Sequence, residues 1–185
     1  GVACSWNPEL ATVNTEQTAE VMRSVGATHA LSPMVDLIRT AYWPRIEESY
    51  GEDGYLSPAM GVAFIEGLQK NGLKDGVAAC TKHFWGYGGG SSLTWKEIFE
   101  EVLMLHEAMI RLADCKVLMT SYGRFRSEQA VSSDTLLNKI LRGYLEFDGL
   151  VVGDYGAVEH SSQKGNPEIL KQRAIEALVA GNDIE

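Results

Sequence analysis

Reactive side chains stand directly after apolar runs at several points along this 185-residue chain. The run Phe147-Asp148-Gly149-Leu150-Val151-Val152-Gly153 is followed by Asp154. A carboxylate at the end of a buried strand is poorly solvated and held on rigid backbone, which suits a nucleophile or a base. An Asp in that place serves equally well as a cap for the next helix. Lys82-His83 follows Val77-Ala78-Ala79-Cys80-Thr81. Strand neighbours point to opposite sides, so both reach one site only where the strand is ending. Lys82 could be a charged hydrogen-bond donor, a Schiff-base amine with lowered pKa, or a lysine snorkelling from a rim, and His83 a hydrogen-bonded core histidine. Asp36 follows the run Leu31–Val35, and Arg45 comes nine residues later in Trp43-Pro44-Arg45-Ile46-Glu47-Glu48. An Asp and an Arg on one mouth could grip vicinal hydroxyls; the same two residues could form an ion pair bracing a loop. Glu47, Glu48, Glu52 and Asp53 flank a helix start and read as a solvated face or as partners of the helix dipole.

The elements that must position these residues alternate. Six short apolar runs, Gly1–Trp6, Ala27–Leu37, Gly76–Phe84, Lys116–Tyr122, Leu150–Tyr155 and Ala180–Ile184, are mostly continuous rather than alternating. That is the pattern of parallel strands covered on both faces. Amphipathic helices fall between them. From Trp95 to Ala113, Ile98, Val102, Leu105, Met109 and Leu112 form one stripe. Asn166-Pro167 supplies a cap and a first-turn proline, Gly181 a helix stop, and Gly26 and Gly72 close two further helices. The spacing predicts an α/β fold with a parallel sheet.

An open dinucleotide-binding sheet needs a glycine-rich turn after its first strand, whereas Asn7-Pro8-Glu9 follows Gly1–Trp6. The run Gly86-Tyr87-Gly88-Gly89-Gly90 does not match a phosphate-loop pattern. The strand ends instead carry Asp36, Lys82-His83, Tyr122, Asp154 and Asp183, as in a (β/α)8 TIM-type barrel, whose chemistry gathers at the C-terminal ends of its strands. Such barrels take about 250 residues. Six strands and five helices in this length predict an incomplete barrel, a piece of a longer polypeptide, with apolar edges prone to aggregation.

Composition narrows the partners. The chain is 45% apolar and 22% charged, an ordinary globular make-up. Its formal net charge of -9, without a basic stripe, argues against nucleic acid as a ligand. No apolar run approaches the ~18 residues of a membrane helix, so no membrane association is expected. Cys4, Cys80 and Cys115 lie far apart in apolar runs and read as small core residues. With no CxxC, no HExxH and no ligand spacing among His29, His83, His106 and His160, no metal site is predicted.

At the same residues the sequence meets a family. The stretch Ser32-Pro33-Met34-Val35-Asp36, then Trp43-Pro44-Arg45-Ile46-Glu47-Glu48-Ser49-Tyr50-Gly51-Glu52-Asp53, then Lys82-His83-Phe84, then Phe147 through Gly153-Asp154-Tyr155-Gly156-Ala157, resembles glycoside hydrolase family 3. The likeness runs in order from Trp6-Asn7-Pro8-Glu9-Leu10 to Ala180-Gly181-Asn182-Asp183-Ile184. It implies the barrel domain of a β-glucosidase-like enzyme that hydrolyses β-linked oligosaccharides or aryl glycosides from the non-reducing end, with retention. No cofactor is implied, since carboxylates supply both acid and nucleophile. By the resemblance, Asp154 stands at the nucleophile, and Asp36, Arg45, Lys82, His83 and Tyr122 bind sugar hydroxyls in the first subsite. Met119 and Tyr155 would line that pocket, Tyr155 standing where many relatives carry Trp.

The family's usual Asp-Pro-Arg-Trp-Gly-Arg appears here as Thr40-Ala41-Tyr42-Trp43-Pro44-Arg45, and Gly123-Arg124-Phe125-Arg126 replaces the usual Asn-Glu after Tyr122. Members acting on N-acetylglucosamine tend to carry a His at the position of Tyr87, followed by an Asp-x-His loop. Neither is present, which favours the glucosidase or xylosidase branch. The resemblance places the general acid on a Glu of a downstream α/β-sandwich domain; Glu100 and Glu101 read as solvent-facing helix residues. Barrel strands are expected to be missing at both ends, and the piece alone is expected to be inactive. Two rival readings are a Schiff-base lyase or aldolase using Lys82 and a non-catalytic sugar-binding barrel.

Overall fold

A computed structural model describes residues 1–86, 93–160 and 166–185. Helix α1 (Pro8–Ser24) begins where Asn7 Oδ1 accepts the Glu9 N–H at 3.0 Å and Pro8 takes the first turn. Strand β1 (His29–Ala30) is followed by a long loop and then helix α2 (Leu56–Gln69). Strand β2 (Ala78–Phe84) leads to helix α3 (Trp95–Glu97), which continues through a π-helical stretch, Ile98–Leu103, into α4 (Met104–Arg111). Strand β3 (Val117–Thr120) is followed by a small hairpin of β4 (Arg124–Phe125) and β5 (Glu128–Gln129), then by a π-helical segment, Thr135–Tyr144. Strand β6 (Leu150–Gly153), α5 (Ala157–His160) and α6 (Pro167–Ala180) complete the order. The caps expected of α6 are present: Asn166 accepts the Glu168 and Ile169 N–H groups, and Gly181 is left-handed at φ 103°.

The main sheet is parallel throughout, in the order β1-β2-β3-β6. Beyond β6, Ile184 adds a single parallel bridge to Val152. Among the described residues the sheet does not close. The α/β fold with a parallel, incompletely formed barrel sheet is therefore as expected, but two runs differ from the sequence reading. Gly1–Trp6 is a 3-10 turn (Val2–Ser5), not a strand: Cys4 and Trp6 donate back to Gly1 and Ala3, so the backbone is satisfied locally on the way into the Asn7 cap. Only Ala3 of that turn is buried, and Cys4 is exposed rather than in the core. Of Ala180–Ile184, Ala180 ends α6, Gly181 caps it and only Ile184 pairs with the sheet, so Asp183 precedes the paired residue rather than ending a strand.

Alternation divides the sheet into two faces. Cys80 of β2, Val117 and Met119 of β3 and Val152 of β6 pack together on an inner face built from strands alone. The intervening residues point to the helices. Leu118 and Val151 pack with Phe84, Ile98 and Leu136, and Ala79 packs with Ile65 and Met109. Each such fully buried large side chain stabilises the fold by about 1.5–3 kcal/mol. Gly61 lets α2 approach closely; a Cβ there would stand 2.8 Å from Met109 Sδ. Of the stripe read along Trp95–Ala113, Ile98, Val102, Leu105 and Met109 are buried, while Leu112 is exposed because the helix has already ended at Arg111. Val13 and Val21 of α1 and Leu178 and Val179 of α6 are exposed apolar residues on the helices at the two ends of the sheet.

Candidate active site

The chain after β1 stays beside β2 without forming a regular strand. Cys80 N–H reaches Ser32 O at 2.8 Å, Lys82 N–H reaches Pro33 O at 3.0 Å, and Val35 N–H returns to Lys82 O at 2.8 Å. Pro33 has no N–H to give, which breaks the ladder yet keeps the chain extended. The result is that Asp36 emerges beside the end of β2. Its Oδ2 accepts the His83 backbone N–H at 3.1 Å and the His83 Nδ1–H at 2.6 Å. Both side chains are 1% exposed. Ser49 Oγ donates to the Asp36 carbonyl at 2.8 Å and holds the loop that carries Arg45 against this corner.

The register of β2 against β3 slips between Lys82 and Phe84. Lys82 keeps the inner-face parity of Cys80, while Phe84 returns to the helix-covered core. The slip is what lets Lys82 and His83 both serve one rim, which regular alternation forbids.

With Nδ1 engaged by Asp36, His83 turns its other ring nitrogen outward. Nε2 faces Arg45 Nη1 at 3.4 Å and Asp154 Oδ2 at 3.6 Å. Arg45 is oriented by a two-pronged bond to Glu48, at 2.6 Å from Nε and 2.5 Å from Nη2. That bond holds the Glu48 carboxyl below the usual carboxylate range, with Lys82 and His83 adding to the effect. The sequence alone reads Glu48 as part of a solvated face or as a dipole partner; the Arg45/Glu48 spacing of three residues on a helical turn is the signal for this pair. The ion pair considered between Asp36 and Arg45 is replaced by these two separate pairs, because Asp36 turns into the core toward His83.

Asp154 directly follows β6, its backbone N–H on Thr120 O at 3.2 Å. Oδ1 accepts the Tyr155 N–H at 2.9 Å. Oδ2 is buried and has no hydrogen-bond partner. The carboxylate does not cap α5, whose first residue, Ala157, donates to the Asp154 carbonyl instead. Tyr122 Oη donates to the Tyr155 carbonyl at 2.6 Å and ties the loops after β3 and β6 together, with His160 edge-on to its ring at 5.4 Å. Tyr155 itself is 74% exposed. Met119 is buried on the inner face below this rim. Asp183 lies apart, taken by Arg142 and the Val151 N–H, both at 2.8 Å. Tyr87 and Gly88–Gly90 lie outside the described residues.

Asp36, Lys82, His83, Tyr122 and Asp154 thus stand at or just past the C-terminal ends of parallel strands, with Arg45 brought to them by a loop, and a family profile decides between the folds that could carry them. The model of the glycosyl hydrolase family 3 N-terminal domain matches residues 1–185. The chain belongs to glycoside hydrolase family 3. Within this family, a β-xylosidase of Formosa agariphila is 37% identical across 99% of the chain. A solved β-glucosidase from Erythrobacter marinus superposes with a TM-score of 0.89 at 33% identity, covering 99% of this chain and 26% of that one. The Listeria innocua β-glucosidase, solved in complex with glucose, superposes at 0.86 with 32% identity over 95% of this chain and 26% of its own. The chain spans about a quarter of the length of these relatives; for the Formosa enzyme the share is 27%.

Proposed function

We propose that the polypeptide carrying this chain hydrolyses O-glycosidic bonds and releases a non-reducing terminal β-D-sugar, glucose or xylose, with retention of configuration. The observation that carries this reading is the Asp154 carboxylate: fixed after a parallel strand, with its Oδ2 buried and without a hydrogen bond beside His83. An unsatisfied buried acceptor costs about 1–3 kcal/mol, so its persistence fits a group whose partner is a reacting atom. Asp154 attacks the anomeric carbon as the glycosidic C–O bond breaks, giving a glycosyl ester that water then cleaves. Asp36, Arg45, Lys82, His83 and Tyr122 hold the sugar's hydroxyls, with Met119 below the rim and Tyr155 at the mouth. The departing oxygen is protonated by a carboxylic acid, which we assign to a Glu of a downstream α/β-sandwich domain, with the present chain as part of the barrel. The β-glucosidases and β-xylosidases among its relatives support the substrate class.

The test is covalent trapping in the intact polypeptide. A 2-deoxy-2-fluoro glycoside with an activated leaving group slows both steps but lets the first proceed. Mass spectrometry should find a glycosyl ester on the peptide containing Gly153-Asp154-Tyr155. Asp154→Ala should abolish it, and azide should restore some turnover with inverted anomeric product. A label on Glu47, Glu48 or Asp183, or an active enzyme with no label, overturns the assignment.

A further inference from the structure

His106 is a buried ionisable group that the chemistry above does not use. It sits on α4 at 2% exposure, with its ring edge-on to Phe84 at 5.0 Å. The main chain of His83 lies close enough to favour a proton on the ring, against the larger effect of burial. The His83 N–H is already given to Asp36, so the group available to the imidazole is the His83 carbonyl. The other ring nitrogen, Nδ1, is buried without a partner. Next to the ring lies a cavity of about 20 Å³ lined by Asp36, Arg39, Gly86, Val102, Leu105 and His106. That volume takes one water molecule, and its polar lining offers the two or more partners such a water requires. Burial pulls the His106 pKa down to about 4, so near neutral pH the ring is an uncharged donor on one side and an acceptor on the other.

We propose that His106 is a positioning residue for the sugar-binding pair Asp36–His83. It grips the His83 carbonyl directly through Nε2–H and reaches Asp36 through one water held against Nδ1. Asp36 and His83 come from different segments, so a support touching both from the core fixes the angle at which the His83 ring meets a sugar. This role rests on the proposed sugar-binding reading of the rim.

The experiment compares His106→Phe, which keeps the ring's shape and loses both hydrogen bonds, with His106→Gln, whose terminal amide can still donate from the Nε2 position. In the intact polypeptide, kcat/KM for 4-nitrophenyl β-D-glucopyranoside and β-D-xylopyranoside should fall about tenfold in His106→Phe, the scale of one lost hydrogen bond. His106→Gln should recover most of that loss, and both variants should melt cooperatively. Equal kinetics in His106→Phe and the parent, or equal losses in both variants, overturn the proposal. A parent inactive on both glycosides makes the functional reading fail; the His83 Nδ1–H proton resonance then decides the inference alone. It should shift in His106→Phe and return in His106→Gln, and an unmoved resonance overturns it. Should His106→Phe not fold, His106→Asn, too short to donate from the Nε2 position, replaces it with the same expectations.

Discussion

Two aspartates flank His83, and their surroundings have little in common. Asp36 is braced on one side: one oxygen accepts both the backbone and ring N–H of His83, and its carbonyl is held by Ser49. Asp154, across the same imidazole, has one bond to its neighbour's N–H and an oxygen with none. The first corner is built from groups that satisfy each other, and removing one leaves another stranded. The second keeps a buried acceptor ready for an atom that the protein does not supply. On the proposed reading, one residue type thus braces and binds in one place and reacts in the other, because environment rather than identity sets the role.

The sharpest way to break this contrast is to truncate both residues. Asp154→Ala should lower kcat by about 10⁴-fold or more, as loss of a nucleophile does, while leaving the unfolding midpoint unchanged or raised. Asp36→Ala should destabilise by about 3–5 kcal/mol in chemical denaturation, since it strands two buried donors of His83. Equal destabilisation by both would erase the distinction between the corners.

Lys82 sharpens the comparison from the side of the sugar. Lys82→Met should lower kcat/KM by about 2–4 kcal/mol of transition-state binding, because a charged donor's bonds tighten as the oxocarbenium-like state forms. Kinetics within about twofold of the parent would leave Lys82 a rim residue only. The rival use of Lys82 as a Schiff-base amine is checked in the same preparation: borohydride with an aldehyde or keto-acid should leave no adduct on it.

The smallest effect concerns the support behind the Asp36 corner. His106 has a folded pKa near 4 against about 6.5 when unfolded, both set by whether burial excludes the charged form. The sign follows. Above about pH 6.5 the ring is neutral in both states and contributes no pH dependence. As pH falls from there toward 4, the unfolded chain takes up a proton that the folded chain refuses, and stability is lost. By pH 5 this amounts to roughly 2 kcal/mol. Denaturation of the parent and His106→Phe at pH 7 and pH 5 should show a shallower acid loss in the variant; parallel slopes would mean the ring is not shielded as its burial implies.

Much of this site is legible in the sequence. Continuous apolar runs followed by Asp, Lys-His and Tyr mark parallel strands ending at a functional rim, because strand direction carries every such end to the same side of a sheet. Helix boundaries were legible for the same local reason: Asn7-Pro8, Asn166-Pro167 and Gly181 act on backbone groups within a few residues of themselves. Tertiary structure alone decided the pairings. Whether Gly1–Trp6 pairs as a strand or turns back on itself depends on a neighbour that sequence does not display. That Asp36 turns inward to His83 while Glu48 takes Arg45 depends on a loop folding over β2 and on a one-residue slip in that strand's register. The orphaned oxygen of Asp154 is likewise a property of what surrounds it in space. Local propensity and periodicity determine which segments form and which way they run; the partner of a buried charge is set by distances between segments far apart along the chain.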